Sequence, residues 1–227
     1  MNNIVAFLPM RKGSERVPNK NIKTFANING GLAFIKIQQL LKVKAIDKII
    51  VSTNDADVKK IASSFNSNKI VIINRSEDLS SSDTSTDDLI KYVPTIINSG
   101  VILWTHVTSP FIDNVMYDDM INSYLNNIHK YDSLMSVTMI RKFLWSNNKP
   151  KNYDRSKEKW PKTQTIKPVY EVNSGAFIAS IDIYRDLNDR IGSNPFLYEL
   201  SGKQSFDIDW ESDFYIAEAM WDKNTVI

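Results

Sequence analysis

The sequence predicts an α/β fold: a mostly parallel sheet with helices on both faces and a small protruding segment. Three observations carry this. Short apolar runs rich in Val and Ile alternate with stretches of helical period. The spacing between runs, about ten residues or more, leaves room for a crossover helix. The first run is apolar throughout rather than alternating, which suits a strand buried on both faces.

Taken in order, residues 4–8 form the first strand, ending at Pro9. Residues 32–42 carry Leu32, Ile35 and Leu40 at helical spacing. KIIVST, 48–53, is the second strand, and 56–65 a helix for which Asp55 is a cap. IVIIN, 70–74, is the third strand. Residues 87–99 read as helix, with Pro94 expected to kink it or shift its boundary. VILWT, 101–105, is a strand, 115–128 a helix and 133–139 a strand. Residues 140–170 are rich in Lys, Asn, Pro and Trp and lack a clean period. Order returns with a strand at 175–180, a helix at 181–189, a short strand at 205–209 and a final helix at 212–220. The arrangement is Rossmann-like, and residues 1–227 read as one domain with an arm at about 140–170.

Composition narrows the function. There is no cysteine, which excludes disulfides, thiolate metal sites and a cysteine nucleophile. Two histidines, His106 and His129, exclude a three-histidine zinc site within one chain. Net charge is +2, so no global field recruits nucleic acid. No apolar run approaches the roughly 18–20 residues of a membrane helix. The N-terminal apolar stretch has no basic region before it and reads as a strand, not a signal peptide. A cytoplasmic protein is the expectation.

Four segments can carry chemistry. PMRKGSERVPNKN, 9–21, follows the first strand and holds Arg11, Lys12, Arg16 and Lys20 against one acid, Glu15. In an open α/β sheet ligands bind beyond the carboxyl ends of the strands, where a basic Gly/Ser loop suits polyphosphate. The spacing of a Walker loop or a dinucleotide fingerprint is absent, and a solvated basic loop has the same composition. Asp207-Ile208-Asp209 places two carboxylates on one side of an extended segment. Such a pair needs a proton or a cation between its members, and hard oxygen donors suit Mg²⁺. Taken alone, the pair also fits a strand end before a helix cap. SSSDTSTDD, 80–88, fits a nucleotide pocket or, more simply, a polar loop ending in a cap. His106-Val107-Thr108-Ser109-Pro110 lies at the end of the 101–105 strand, again the binding edge.

In their order along nearly the whole chain, these segments resemble the acylneuraminate cytidylyltransferase family. The matching motifs are Arg11-x-x-Ser14 with Pro18-x-Lys20-Asn21, IIVSTND at 49–55, and Arg75 with Ser82-Asp83-Thr84. They continue with Thr108-Ser109-Pro110, Asn173-Ser174-Gly175-Ala176 and Asp207-Ile208-Asp209. The resemblance implies that CTP and a 2-keto sugar acid are joined into a CMP-sugar, with Mg²⁺ and release of pyrophosphate. It implies that Arg11, Ser14 and Lys20 hold the triphosphate and that Asn21, Arg75 and Ser85 contact ribose or cytosine. Asp207 and Asp209 would hold the metal, with Arg11, Lys20 and Asp209 as the catalytic set. His106, Thr108, Ser109 and Asn173 would face the acceptor, and 140–170 would form a homodimer.

The chain departs from the family pattern at three places. His106 stands where many members have Gln, Ile112 where they have Arg, and the Asn173 motif carries an extra residue. The first two lie near the expected sugar pocket, so the sequence leaves sialic, legionaminic and pseudaminic acceptors open. Kdo, a sugar phosphate, a phosphonate, or nucleotide binding without transfer are the alternatives.

Overall fold

A computed structural model describes residues 3–222. Seven strands form one sheet in the order β3-β2-β1-β4-β8-β5-β9. They are β1 Ile4–Pro9, β2 Lys48–Thr53, β3 Ile70–Asn74, β4 Val101–Trp104, β5 Ser133–Ile140, β8 Val169–Ser180 and β9 Pro195–Leu200. A small hairpin, β6 Trp145–Ser146 with β7 Lys149–Pro150, lies in the segment between β5 and β8. The pairs β1–β2, β2–β3, β1–β4 and β5–β9 are parallel, while β8 runs antiparallel to both β4 and β5. The carboxyl ends of every strand but β8 therefore share one edge.

The helices are α1 Gly31–Lys42, α2 Ala56–Ser64, α3 Thr86–Ile96, α4 Asn114–Asn127, α5 Ile181–Leu187 and α6 Glu211–Asp222. Buried residues of α1, α2, α4 and α6 share one core with Ala6, Leu8, Leu103 and Ile178. Those of α3 and α5 share a second core with Phe7, Trp104 and Phe177 on the other face. Successive strand residues point to opposite faces, so one strand feeds both cores. This is the mostly parallel α/β sheet, covered on both sides, that the apolar runs predict.

Three elements differ from the sequence reading. Strand β9 has a Pro at its first residue and no strong β-branched run, so it was not anticipated; its pairing with β5 supplies what its composition lacks. The strand expected at 205–209 is absent: Gly202–Ser205 is a 3₁₀ turn, and 206–209 belong to no strand or helix. Ile208 is nevertheless fully buried between two partly exposed aspartates, so the alternation survives without the sheet. Helix α3 ends at Ile96, not Ser99: it runs through Pro94 and stops where Ile97 turns extended, its N–H still donating to Val93 O.

Strand β8 is longer than expected and bulged. Met135 pairs with Phe177 but Val137 pairs with Val172, so only Ser136 lies opposite residues 173–176. The extra residue of the Asn173 motif falls in this bulge. Its backbone is close-packed: a Cβ at Gly175 would come 2.5 Å from Cδ1 of Ile112.

Candidate active site

The carboxyl ends of β1 and β4 open into a cavity of about 390 Å³. One wall is the loop after β1, contributing Arg11, Ser14, Arg16, Lys20 and Asn21; the other is His106 and Thr108 after β4. Gly13 takes a left-handed φ of 76°, and Arg11 Nη1 donates to its carbonyl at 2.8 Å. The loop is pinned from three sides. Met10 N–H donates to Ser52 O at 2.9 Å, and Lys12 N–H donates to Asn54 Oδ1 at 2.9 Å. Asn21 Nδ2 donates to Arg11 O at 2.9 Å.

The acidic segment is tied to both walls through Ile208. Its N–H donates to Thr108 O at 2.9 Å, and its carbonyl accepts from Lys20 Nζ at 2.9 Å. Burial lowers the Lys20 pKa, while the nearby carboxylates of Asp209 and Asp207 oppose that shift. Asp209 forms an ion pair with Arg16 at 2.7 Å, both groups about half exposed. Arg16 also lies over the ring of Trp210 at 5.2 Å. Asp207 Oδ1 is buried without a hydrogen-bond partner. Asp213 caps the segment, its Oδ2 accepting from the N–H groups of Asp209 and Trp210.

His106 is the polar head of the β4 wall. Trp104 Nε1 donates to His106 Nε2 at 2.9 Å, which leaves Nδ1 to carry the proton of the neutral ring. Burial, then the charges of Arg190 and Lys20, push the imidazole down to about 3. At neutral pH it is therefore an uncharged hydrogen-bonding group.

The structure gathers Arg11, Ser14, Lys20, Asn21, His106 and Thr108 around the cavity. Arg75 is 2% exposed, and its Nε donates to Ser80 Oγ at 3.2 Å; it lies close enough to Arg11 for the two charges to interact. Other expected residues are engaged elsewhere. Ser85 caps α3 in a reciprocal box with Asp88, so its hydroxyl already serves the helix. Asn173 takes hydrogen bonds from Ser136 Oγ and Gly175 N–H inside the bulge. Ser109 is buried, and its carbonyl accepts from Lys36. None of these three lines the cavity. Ile112 is fully buried against Gly175 and belongs to the core rather than to a sugar pocket.

Sequence reasoning missed two cations. Lys36 lies fully buried in α1, and its Nζ donates to Ser109 O at 2.7 Å, Ile112 O at 3.2 Å and Tyr117 Oη at 2.8 Å. Its signal was available: a lysine standing between Leu32 and Leu40 on the apolar stripe. Arg190, after α5, gave no comparable signal, because its surroundings exist only in the tertiary fold.

A parallel-edge cavity with a basic loop facing an acidic segment defines a nucleotide-handling α/β protein. A cytidylyltransferase family model matches residues 5–214, and the chain belongs to that family. It is 26% identical over 230 residues to an N-acylneuraminate cytidylyltransferase of Escherichia coli O18:K1:H7 (strain RS218 / NMEC). That match covers 94% of the chain but 51% of the relative, so the chain spans about half of that relative's length. The fold is also similar to a CMP:2-keto-3-deoxy-manno-octonic acid synthetase complexed with CTP. There the TM-score is 0.70 at 13% identity, covering 98% of this chain and 99% of that one. A 4-diphosphocytidyl-2C-methyl-D-erythritol synthase from Anaerococcus prevotii gives a TM-score of 0.69 at 12% identity, covering 97% and 96%. At these identities the likeness is one of fold.

Proposed function

We propose that the chain is a cytidylyltransferase that joins CTP to a 2-keto sugar acid of the sialic, legionaminic or pseudaminic type, giving a CMP-sugar and pyrophosphate. One observation carries the reading. Ile208 bridges Lys20 and Thr108, so the acidic segment is joined to both the basic loop and the β4 wall that line the cavity, although Asp207 and Asp209 are not themselves in its lining. The curated relative's name supports a sugar-acid acceptor.

In this reading the anomeric hydroxyl of the sugar attacks the α-phosphorus of CTP and pyrophosphate departs. Catalysis is mainly positioning and charge stabilisation. Arg11 and Lys20 offset the charge that grows on the leaving group, and Ser14 adds a hydroxyl donor. Asn21 keeps the loop in shape by holding Arg11 O. Arg75, buried and near enough to Arg11 for their charges to interact, would serve the base. His106 and Thr108 face the acceptor.

The residues present fit Mg²⁺. Asp207 Oδ1 is a buried oxygen without a partner, and no cluster of three or more His, Asp or Glu forms among the described residues. Two carboxylates completed by substrate phosphates are the donor set this ion usually takes. Held by Asp207 and Asp209, it would supply charge neutralisation at the phosphates and acidify the incoming hydroxyl.

The chain is read as one domain that works as a cytoplasmic homodimer through residues 140–170, without nucleic-acid or membrane partners. Among the described residues no helix is long and apolar enough to cross a membrane. The deciding experiment is pyrophosphate release from CTP across a panel of sugar acids. Turnover with a nine-carbon 2-keto acid supports the reading. Turnover only with a phosphorylated acceptor, or CTP binding without turnover on any acceptor, sinks it.

A further inference from the structure

Trp104 and His106 stand two residues apart at the end of β4, so their rings fall on one side of the chain. Thr105 between them turns the other way, its Oγ1 bonding to Tyr117 Oη and Gly175 O. Trp104 is fully buried, and its indole is held from several directions. Phe7 meets it edge-on at 4.8 Å, Tyr184 stacks on it at 6.4 Å, and the Arg190 guanidinium carbon lies 5.1 Å from its centroid. The one polar atom of that ring, Nε1, donates to His106 Nε2 at 2.9 Å. The Tyr184 hydroxyl, buried and without a partner, does not compete for this proton.

A buried N–H left without an acceptor is costly, and this fixes the tautomer of the imidazole. With its proton on Nε2, two N–H donors would face each other across 2.9 Å. With its proton on Nδ1, the pair is satisfied. Protonating both nitrogens would restore the conflict, and burial with the charges of Arg190 and Lys20 already opposes it. His106 itself is partly exposed and lines the cavity. Among the described residues its Nδ1 has no hydrogen-bond partner. It is not one of the buried atoms left without a partner either, so it is open to a ligand.

We propose that Trp104 is a positioning residue that locks His106 as a donor through Nδ1–H, so that this wall selects an acceptor sugar by an oxygen able to take a hydrogen bond. This rests on the transfer reaction proposed above and names what the His106 side of that site reads. An unrestrained neutral imidazole exchanges its donor and acceptor nitrogens, and would meet a ligand N–H as well as a ligand oxygen. The lock removes that choice. Carboxylate, acyl carbonyl and hydroxyl oxygens can all accept from Nδ1–H, whereas an ammonium group has no lone pair to offer. Selection here is by hydrogen-bond polarity rather than by charge, because the ring is neutral. It is imposed by a buried side chain that touches no ligand.

The test compares wild type, Trp104→Phe, His106→Ala and the double variant. The chain has two histidines, so ¹⁵N NMR of histidine-labelled protein at neutral pH reads the ring directly, with His106→Ala assigning its signals. Wild type should show one tautomer, protonated at Nδ1, and Trp104→Phe a mixture. Pyrophosphate release is then measured with the sugar acid that wild type turns over best. In Trp104→Phe its KM should rise by the reciprocal of the Nδ1–H fraction that remains, about threefold or more, because only that tautomer is competent. KM for CTP should stay within about twofold. Trp104→Phe should add nothing to His106→Ala, since it acts through the imidazole. A wild-type ring that is mixed or protonated at Nε2 overturns the proposal. So does a Trp104→Phe that keeps the wild-type tautomer, raises both KM values alike, or adds in full to His106→Ala; each marks a merely structural tryptophan. If wild type turns over no sugar acid, the transfer reading fails. NMR and calorimetric titration with N-acetylneuraminate and 2-keto-3-deoxy-manno-octonate, in the presence of CMP, then decide the lock separately. Acid binding that weakens in step with the tautomer sustains it; equal binding by both proteins, or none, overturns it. Should Trp104→Phe fail to fold, Trp104→3-benzothienylalanine, which has the same shape with sulfur in place of the N–H, carries the same comparisons.

Discussion

Lys20 Nζ donates to the main-chain carbonyl of Ile208 at 2.9 Å, joining the first loop of the chain to the acidic segment 188 residues away. The bond gives the ammonium two tasks. It lines the cavity proposed to take the triphosphate, and it clamps the segment that carries Asp207 and Asp209. Lys20→Met should therefore lower kcat as well as raise KM for CTP, each by about tenfold or more. Steady-state kinetics with CTP varied at saturating acceptor reads this. A change in KM alone would leave only the electrostatic task; no change in either would remove Lys20 from the site.

Asp209 is held by Arg16 at 2.7 Å, and both side chains are about half exposed. An exposed pair of this kind contributes little to stability but competes with any cation for the same carboxylate. Arg16→Ala should thus lower the Mg²⁺ concentration at half-maximal activity. Asp209→Asn should leave the fold intact and reduce kcat by about 10²-fold, comparable to removing one preorganised electrostatic group. A Mg²⁺ titration of the three proteins decides the matter. Wild-type turnover by Asp209→Asn in limiting Mg²⁺ would contradict the metal role.

His106 provides a test in pH. Its folded pKa is pushed from 6.5 down to about 3, first by burial and then by the charges of Arg190 and Lys20. As pH falls through 6.5 the unfolded chain takes up a proton that the folded chain refuses, so this contribution to stability is lost between about 6.5 and 3. His106→Gln should flatten the decline in melting temperature over pH 6.5 to 5, where the carboxylates contribute alike to both proteins. Acceptor KM in wild type should show no step near pH 6.5. Such a step would mean the ring titrates in the folded protein and is not enclosed as described.

The segment between β5 and β8 presents Trp145 and Trp160 to solvent at 43% and 61% exposure. Phe143 is edge-on to both Tyr153 and Trp160, and Arg155 lies over Trp145 and Trp160. The aromatic groups thus form a cluster of their own, with two large rings still partly exposed. Light scattering at micromolar concentration should report a homodimer, and Trp160→Glu with Trp145→Glu should shift it toward monomer. A wild-type monomer would refute the dimer reading.

The strands were legible because burial on both faces imprints continuous runs such as IVAFL and VILW, which no loop needs. Strand β9 and the bulge in β8 were not, because their pairing is decided by neighbours far away in the chain. The same division holds in the site. Arg11, Lys20 and the Asp207–Asp209 pair are local patterns in charge and spacing. Ser85 and Asn173 carry the right chemistry at the right place in the chain, but their polar atoms are consumed by a helix cap and a bulge. Which hydrogen bonds a polar side chain has already made is a property of the folded state, and a motif does not encode it.

Lys36 shows how a core residue positions the site. Its ammonium donates to the carbonyls of Ser109 and Ile112 and to Tyr117 Oη, and Thr105 Oγ1 joins Tyr117 Oη to Gly175 O. One cation thereby ties the turn after His106 and Thr108 to the β8 bulge. Burial pushes its pKa from 10.5 down to about 7, opposed by Asp113 and Asp207. Between those two values the unfolded chain holds the proton and the folded chain does not, so stability rises with pH across that window and falls again toward 7. Lys36→Met removes the titration but leaves buried carbonyls without their donor, a cost of about 1–3 kcal/mol that should outweigh the relief of burying no charge. Urea unfolding at pH 7.0 and 9.5 should find the variant less stable at both, with the gap wider at the higher pH. Acceptor KM should rise with CTP affinity little changed, because the loosened turn lies on the His106 wall. A variant as stable as wild type at both pH values, with unaltered kinetics, would show that the turn does not depend on the lysine.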